Sequence, residues 1–207
     1  MTRYAESMKK LLAVIILSFC FITPSQADDI KDFQIEGISV GDSLLDHFSK
    51  SEIQNASKIV KPYLHQNEYI EQSILKISKT YDRIKFSWLQ KDEKYILHGV
   101  SGITIYKDNF NGCLETKKQV ARELQEMFPD LKKNDRNKIF SSYDPKRKSY
   151  RDETSFKFKD GSAVRVYCSY WSKELQKKNK WYHSLHVNIN DVKFLNYLSK
   201  TYNSKNK

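Results

Sequence analysis

Cys113 and Cys168 are the residues best placed to do covalent chemistry, since they are the two cysteines left once a leader ending at Ala27 is removed. In an oxidising compartment an isolated pair forms a disulfide more often than a catalytic thiol. The apolar pattern points the same way. Cys113 opens a helical stretch in which Val120, Ala121, Leu124, Met127 and Phe128 recur at three- and four-residue steps, and it falls on that stripe. Cys168 shares a strand face with Val164, Val166 and Tyr170, opposite Arg165, Tyr167, Ser169 and Trp171. Both sulfurs are therefore expected in one core, where a bridge closing this loop stabilises by about 4 kcal/mol in the chain-entropy model. No C-x-x-C spacing or neighbouring histidine activates either thiol.

Other catalytic patterns are weak. His47, His65, His98, His183 and His186 are scattered, and His183 and His186 on one strand would face opposite sides, which spoils them as a chelating pair. No metal or cofactor is expected. A nucleophile elbow, a zinc-protease helix, a phosphate-binding glycine loop and an EF-hand spacing are all missing from the sequence. Asp82 with Asp92 or Glu93 could meet near one end of a hairpin, although a solvated turn is the commoner fate of such carboxylates. No motif carries a mechanism.

Charge is the stronger lead. Residues 130–152 hold Lys132, Lys133, Arg136, Lys138, Lys146, Arg147, Lys148 and Arg151 against Asp130, Asp135, Asp144 and Asp152, a net of +4. Lys173, Lys177, Lys178 and Lys180 against Glu174 contribute +3, and the tail residues Lys200, Lys205 and Lys207 another +3, so the rest of the mature chain is nearly neutral. The excess is expected in loops and the tail, where it would steer the protein onto an anionic surface or an acidic protein face. Tyr143, Tyr150, Trp171, Trp181 and Tyr182 lie beside these runs. Such a mixture also suits bases or sugars, but an exported chain without a nucleic-acid module argues against nucleic acid. The plainer alternative is that the lysines keep loops soluble and the aromatics belong to the core.

The address comes from the N-terminus. Met8-Lys9-Lys10 leads into the apolar block Leu11 to Ile22 and then Pro24-Ser25-Gln26-Ala27, the plan of a secretory signal peptide with small residues at −3 and −1. Cleavage after Ala27 would leave a chain starting at Asp28, periplasmic or secreted. Thr23 and Pro24 end the apolar run short of the roughly 20 residues a membrane span needs, and Phe19 before Cys20 is too bulky for a lipoprotein site. Met8 alone would open a compact leader. Losing Arg3, Lys9 and Lys10 together with Glu6 lowers the formal charge from +11 to about +9.

Residues 28–207 are expected to form a single α+β domain, a largely antiparallel sheet with helices packed on one side and one disulfide. Phe33, Ile35, Ile38 and Val40 read as a short strand, followed by a helix capped by Asp42 or Ser43 with Leu44, Leu45 and Phe48 inward. Ser49-x-x-Glu52 is a capping box. Residues 59–80 are ambiguous, with strand favoured near their end. Strands are expected over 81–89 and 95–106, with Gly99 and Gly102 marking a bulge or bend. A helix over 113–128 and a polar connection to about 152 follow. Phe156, Phe158, Asp160-Gly161 and 162–171 make the clearest hairpin, then comes a strand over 181–189. Asp191 caps a last helix with Phe194, Leu195, Leu198 and Tyr202 on one face.

The opening block Phe33-Gln34-Ile35-Glu36-Gly37-Ile38-Ser39-Val40-Gly41-Asp42-Ser43-Leu44-Leu45, with Tyr81-Asp82, Tyr95-Ile96, Ser101-Gly102 and Cys113, resembles a family of small exported proteins from marine alphaproteobacteria. That family has no assigned activity, so the resemblance implies export and no catalytic residues. The same opening is also similar, more faintly, to small envelope modules of the outer-membrane lipoprotein and lactamase-inhibitor type, which bind other proteins. An exported, non-catalytic binding or adaptor protein of the envelope is the expectation, its partner an envelope protein or an anionic surface. The alternative is a small periplasmic hydrolase with an unlocated active site.

Overall fold

The chain runs as two four-stranded meanders joined by one long helix. A computed structural model describes residues 29–58, 68–74, 78 and 80–205. The expected leader and residues 59–67 of the ambiguous stretch lie outside the described residues.

The first meander comprises β1 (Ser57–Lys58), β2 (Tyr69–Ile74), β3 (Arg83–Leu89) and β4 (Leu97–Lys107). Helix α2 (Phe110–Met127), which follows the short α1 (Lys50–Asn55), then leads to the second: β5 (Lys132–Phe140), β6 (Tyr150–Lys157), β7 (Ala163–Tyr170) and, after α3 (Lys173–Asn179), β8 (His183–Asn190). Helix α4 (Val192–Lys205) ends the fold. The two halves meet through β4 and β8 in one eight-stranded sheet, ordered β1-β2-β3-β4-β8-β7-β6-β5. Every neighbouring pair is antiparallel. The chain is therefore α+β, as its short turns suggested.

Helix α2 lies on one sheet face and buries Cys113, Val120, Ala121 and Leu124 against β7, β8, β4 and β6. The strand residues beneath it are Val164, Val166 and Cys168, Phe156, and Leu185, Val187 and Ile189, all buried. Cys113 and Cys168 are bonded, with their Cα atoms 6.0 Å apart. Beside the bridge, Lys117 Nζ pairs with Asp152 Oδ1.

The other face carries Glu71 and Ser73, Lys85 and Ser87, Ser101, Asn188, Arg165 and Glu153, all in register across adjacent strands. At one end of this face α4 packs its Phe194 and Tyr197 on Tyr69. Gly99 is required there, since a Cβ would lie 3.0 Å from the Phe194 ring. Gly102, on the α2 face, makes room for Tyr81, whose ring would meet a Cβ at 2.5 Å. Of the bulge or bend expected at these glycines, the bulge exists beside Gly99. Ser87 pairs with Gly99 and Trp88 with Leu97, leaving His98 as the extra residue.

Three sequence expectations are corrected. The stretch 33–40 is not a strand. Ile35 and Ile38 form a single bridge across a two-residue turn in which Glu36 (φ 54°) and Gly37 (φ 79°) are both left-handed. The helix after Ser43 is one 3₁₀ turn, Leu44–Asp46, with Leu44 buried and Leu45 exposed. The polar connection after α2 contains the strand β5, whose residues are almost all exposed at the sheet edge, and its end already belongs to β6. The box at Ser49 and Glu52 is present, as is the turn at Gly161 (φ 91°). Of the face expected on α4, Phe194 is buried and Leu198 packs beside it, Leu195 is half-buried, and the Tyr202 side chain lies outside the described ones; Tyr197 is buried with Phe194.

Candidate functional site

The basic residues gather along the β5–β6 edge. Lys132, Lys133, Arg136 and Lys138 lie on edge strand β5, not in a loop. Lys138, with φ 51°, sits in the bulge between Arg136 and Ile139. Lys-rich sequence and a bulge are both devices that discourage pairing with a further strand, so this edge presents charge rather than a vacant ladder.

Lys146, Arg147 and Lys148 occupy the turn between β5 and β6, and hydrogen bonds order it. Ser149 Oγ donates to Asp144 Oδ2 (2.6 Å), the Lys146 N–H donates to Asp144 Oδ1 (3.1 Å), and the Arg147 N–H donates to the Asp144 carbonyl (2.9 Å). The bond from Ser149 holds the Asp144 carboxyl below its ordinary pKa. The Arg147 guanidinium lies 4.5 Å over the Phe140 ring. Two contacts tie the turn to α3: the Ser172 N–H donates to Ser149 Oγ (2.9 Å), and Lys146 pairs with Glu174 (3.0 Å). Lys177 and Lys178 end α3, and Lys180 caps it in the left-handed region. Two basic runs distant in sequence thus form one neighbourhood. The aromatics expected as binding residues beside them mostly pack on one another, as Trp171 with Trp181 at 4.5 Å, Tyr143 with Trp181 at 5.4 Å and Tyr150 with Tyr170 at 4.9 Å. Tyr182 is exposed.

A second cluster lies on the sheet face away from α2. Cross-strand register forms the row Arg136, Glu153, Tyr167, His186. Arg151 joins it from two residues along β6, and Arg165 from two residues along β7. Glu153 is fully buried. Arg136 Nη2 donates to Glu153 Oε1, and Arg151 Nε stands 3.0 Å from Oε2. Burial alone would raise the Glu153 pKa, but Arg151, Arg165 and Arg136 outweigh it and hold the carboxyl below the usual range. Arg165 Nη2 donates to Asn190 Oδ1 (2.9 Å), while its buried Nε has no acceptor. Tyr167 stacks on His186 at 4.6 Å and lies under the Arg151 guanidinium at 5.5 Å. Arg136 and Arg151 were singled out in the sequence. Arg165 and Glu153 were not, although alternation along β7 had already put Arg165 on the face away from the core.

The remaining candidates separate. His183 faces α2, against Phe110 and Tyr170, while His186 stacks on Tyr167 on the opposite face. Asp82 precedes β3 and accepts from the Ile105 N–H (2.7 Å), whereas Asp92 follows β3 at its far end. They do not meet. A groove of about 460 Å³ opens near Asp92 and Glu93, lined also by Gln72, Gln90, Trp88 and Tyr95. Asp92 spends both carboxylate oxygens on its own turn, accepting from the Lys94 (3.0 Å) and Ile96 (2.8 Å) N–H groups. Asp92 thus serves to order the turn at the mouth of the groove.

Comparison with protein-family models, with curated proteins and with solved structures finds no match for this chain.

Proposed function

We propose that the protein is an exported, non-catalytic binding module that meets an anionic partner of the cell envelope through its β5–β6 edge and α3. The observation that carries this reading is the ordered union of two basic segments through Ser149, Ser172, Lys146 and Glu174. Ordering removes entropy that a flexible loop would lose on binding, and a patch of net positive charge speeds encounter with the opposite charge. The disulfide is compatible with an oxidising compartment. Among the described residues no helix is long and apolar enough to cross a membrane. Resemblance of the opening block to small exported proteins supports the same address.

The test is affinity capture from envelope extract at low and moderate salt, using wild type and the K146E/R147E/K148E variant. A single protein retained at moderate salt by wild type and lost by the variant is the expected result. Heterogeneous anionic material released by salt from both proteins alike would reduce the patch to general electrostatics.

A further inference from the structure

Three arginines surround one carboxylate on the face away from α2, Arg136 and Arg151 in ion pairs with it and Arg165 through its field alone, and this excess of cation is the least explained feature of the molecule. Arg136, Arg151 and Arg165 come from three adjacent strands, β5, β6 and β7. Each guanidinium carries five N–H donors. Glu153 supplies two oxygens, Asn190 one more, and among the described residues no other carboxylate pairs with the three. Two positive charges are left over.

Two of the three are also presented outward. The Arg136 and Arg151 side chains are 50% and 39% exposed around a Glu153 that is 0% exposed. Glu153 accepts a hydrogen bond from the Arg136 fork and forms an ion pair with Arg151, and the Tyr167–His186 stack supports the Arg151 fork from beneath. Forks held in this way present their remaining donors in a defined direction, which suits a polydentate oxyanion.

We infer that Arg136, Arg151 and Arg165 form a binding site for a phosphomonoester group. Its two negative charges equal the excess of the cluster, and its three terminal oxygens can accept from more than one fork at once. A carboxylate brings a single charge and would leave one guanidinium uncompensated. The inference deepens the proposed anion-binding role and rests on it for the partner's sign alone.

Titration of the purified protein with inorganic phosphate by calorimetry, at constant ionic strength set by chloride, tests it. Saturable binding of one phosphate is expected, weakened at least about tenfold in Arg136→Gln and in Arg151→Gln, the loss corresponding to one charge-assisted contact. The Arg122→Gln protein should bind phosphate within about twofold of wild type, since Arg122 is an exposed residue of α2, on the opposite side of the sheet. Circular dichroism confirms folding, and because Arg136 is half exposed on an edge strand its variant keeps the test usable if Arg151→Gln unfolds.

Absence of saturable binding overturns the site, and so does equal weakening in Arg122→Gln. Phosphate binding without envelope capture would overturn the proposed partner while leaving the site standing. Vesicles separate the sources. Retention on phosphatidic acid but not phosphatidylglycerol supports a lipid headgroup at the site, and phosphate binding without vesicle retention supports a soluble phosphomonoester.

Discussion

Lys117 and Asp152 pair directly beside the disulfide: Lys117 is one helical turn from Cys113 on α2, and Asp152 is the cross-strand partner of Cys168. One covalent and one ionic fastener therefore join the same turn of helix to the same step of sheet. Lys117 is 7% and Asp152 20% exposed at the side chain, so each needs the other.

Lys117→Met should lower the unfolding free energy by about 3 kcal/mol, because it strands a largely buried carboxylate. The double variant K117M/D152L should recover most of that loss. Urea denaturation of the single and double variants gives both values, and equal loss in the two would mean that packing, not charge pairing, sets the cost.

Replacing Cys113 and Cys168 together by Ala should destabilise by up to about 4 kcal/mol through loop-closure entropy. Comparison of the urea midpoints of the double variant and wild type measures it. An unchanged midpoint would show that the α2 contacts hold without the bridge.

Gly102→Ala places a methyl into the Tyr81 ring, 2.5 Å away. Overpacking of this kind costs about 1–3 kcal/mol. Pairing it with Tyr81→Leu should restore part of the loss, and a thermal-unfolding double-mutant cycle reads the coupling.

Stability should fall as the solution is acidified below about pH 6.5. Burial lowers the His183 pKa from its ordinary 6.5, and Nδ1 accepts from the Trp171 N–H (3.2 Å), a bond that needs the neutral ring. The unfolded chain then binds a proton at a pH where the folded one does not, so the contribution is present above the unfolded pKa and lost as pH falls through the folded value. Urea melts from pH 7.5 to 5 on wild type and His183→Gln check the sign, and identical slopes would remove His183 as the source.

The elements legible in the sequence were those whose side chains meet a core. Helix α2 and strand β7 show their periods because Val120, Leu124, Val164 and Val166 are buried on one side only. Strand β5 was illegible because its residues, from Lys132 to Phe140, are nearly all exposed and carry no apolar alternation. Its structure is imposed by pairing with β6. The arginine cluster was half visible for a similar reason. Arg136 and Arg151 stood out as charges, but their common partner Glu153 is fixed by strand register, a long-range property that local spacing does not encode.

The seam between β4 and β8 sets an order on folding. Within each meander successive strands are chain neighbours, so their pairing closes short loops. Joining the halves instead brings Gly99 against Asn190 and Lys107 against His183, with α2 and most of the second meander in between. That closure carries a larger loop entropy. Both half-cystines belong to α2 and the second meander, so the covalent link can form before the seam does. In a chain with the bridge closed and the seam open, the inner edges of β4 and β8 would be the unpaired strands, and closing the seam is what removes them as pairing edges.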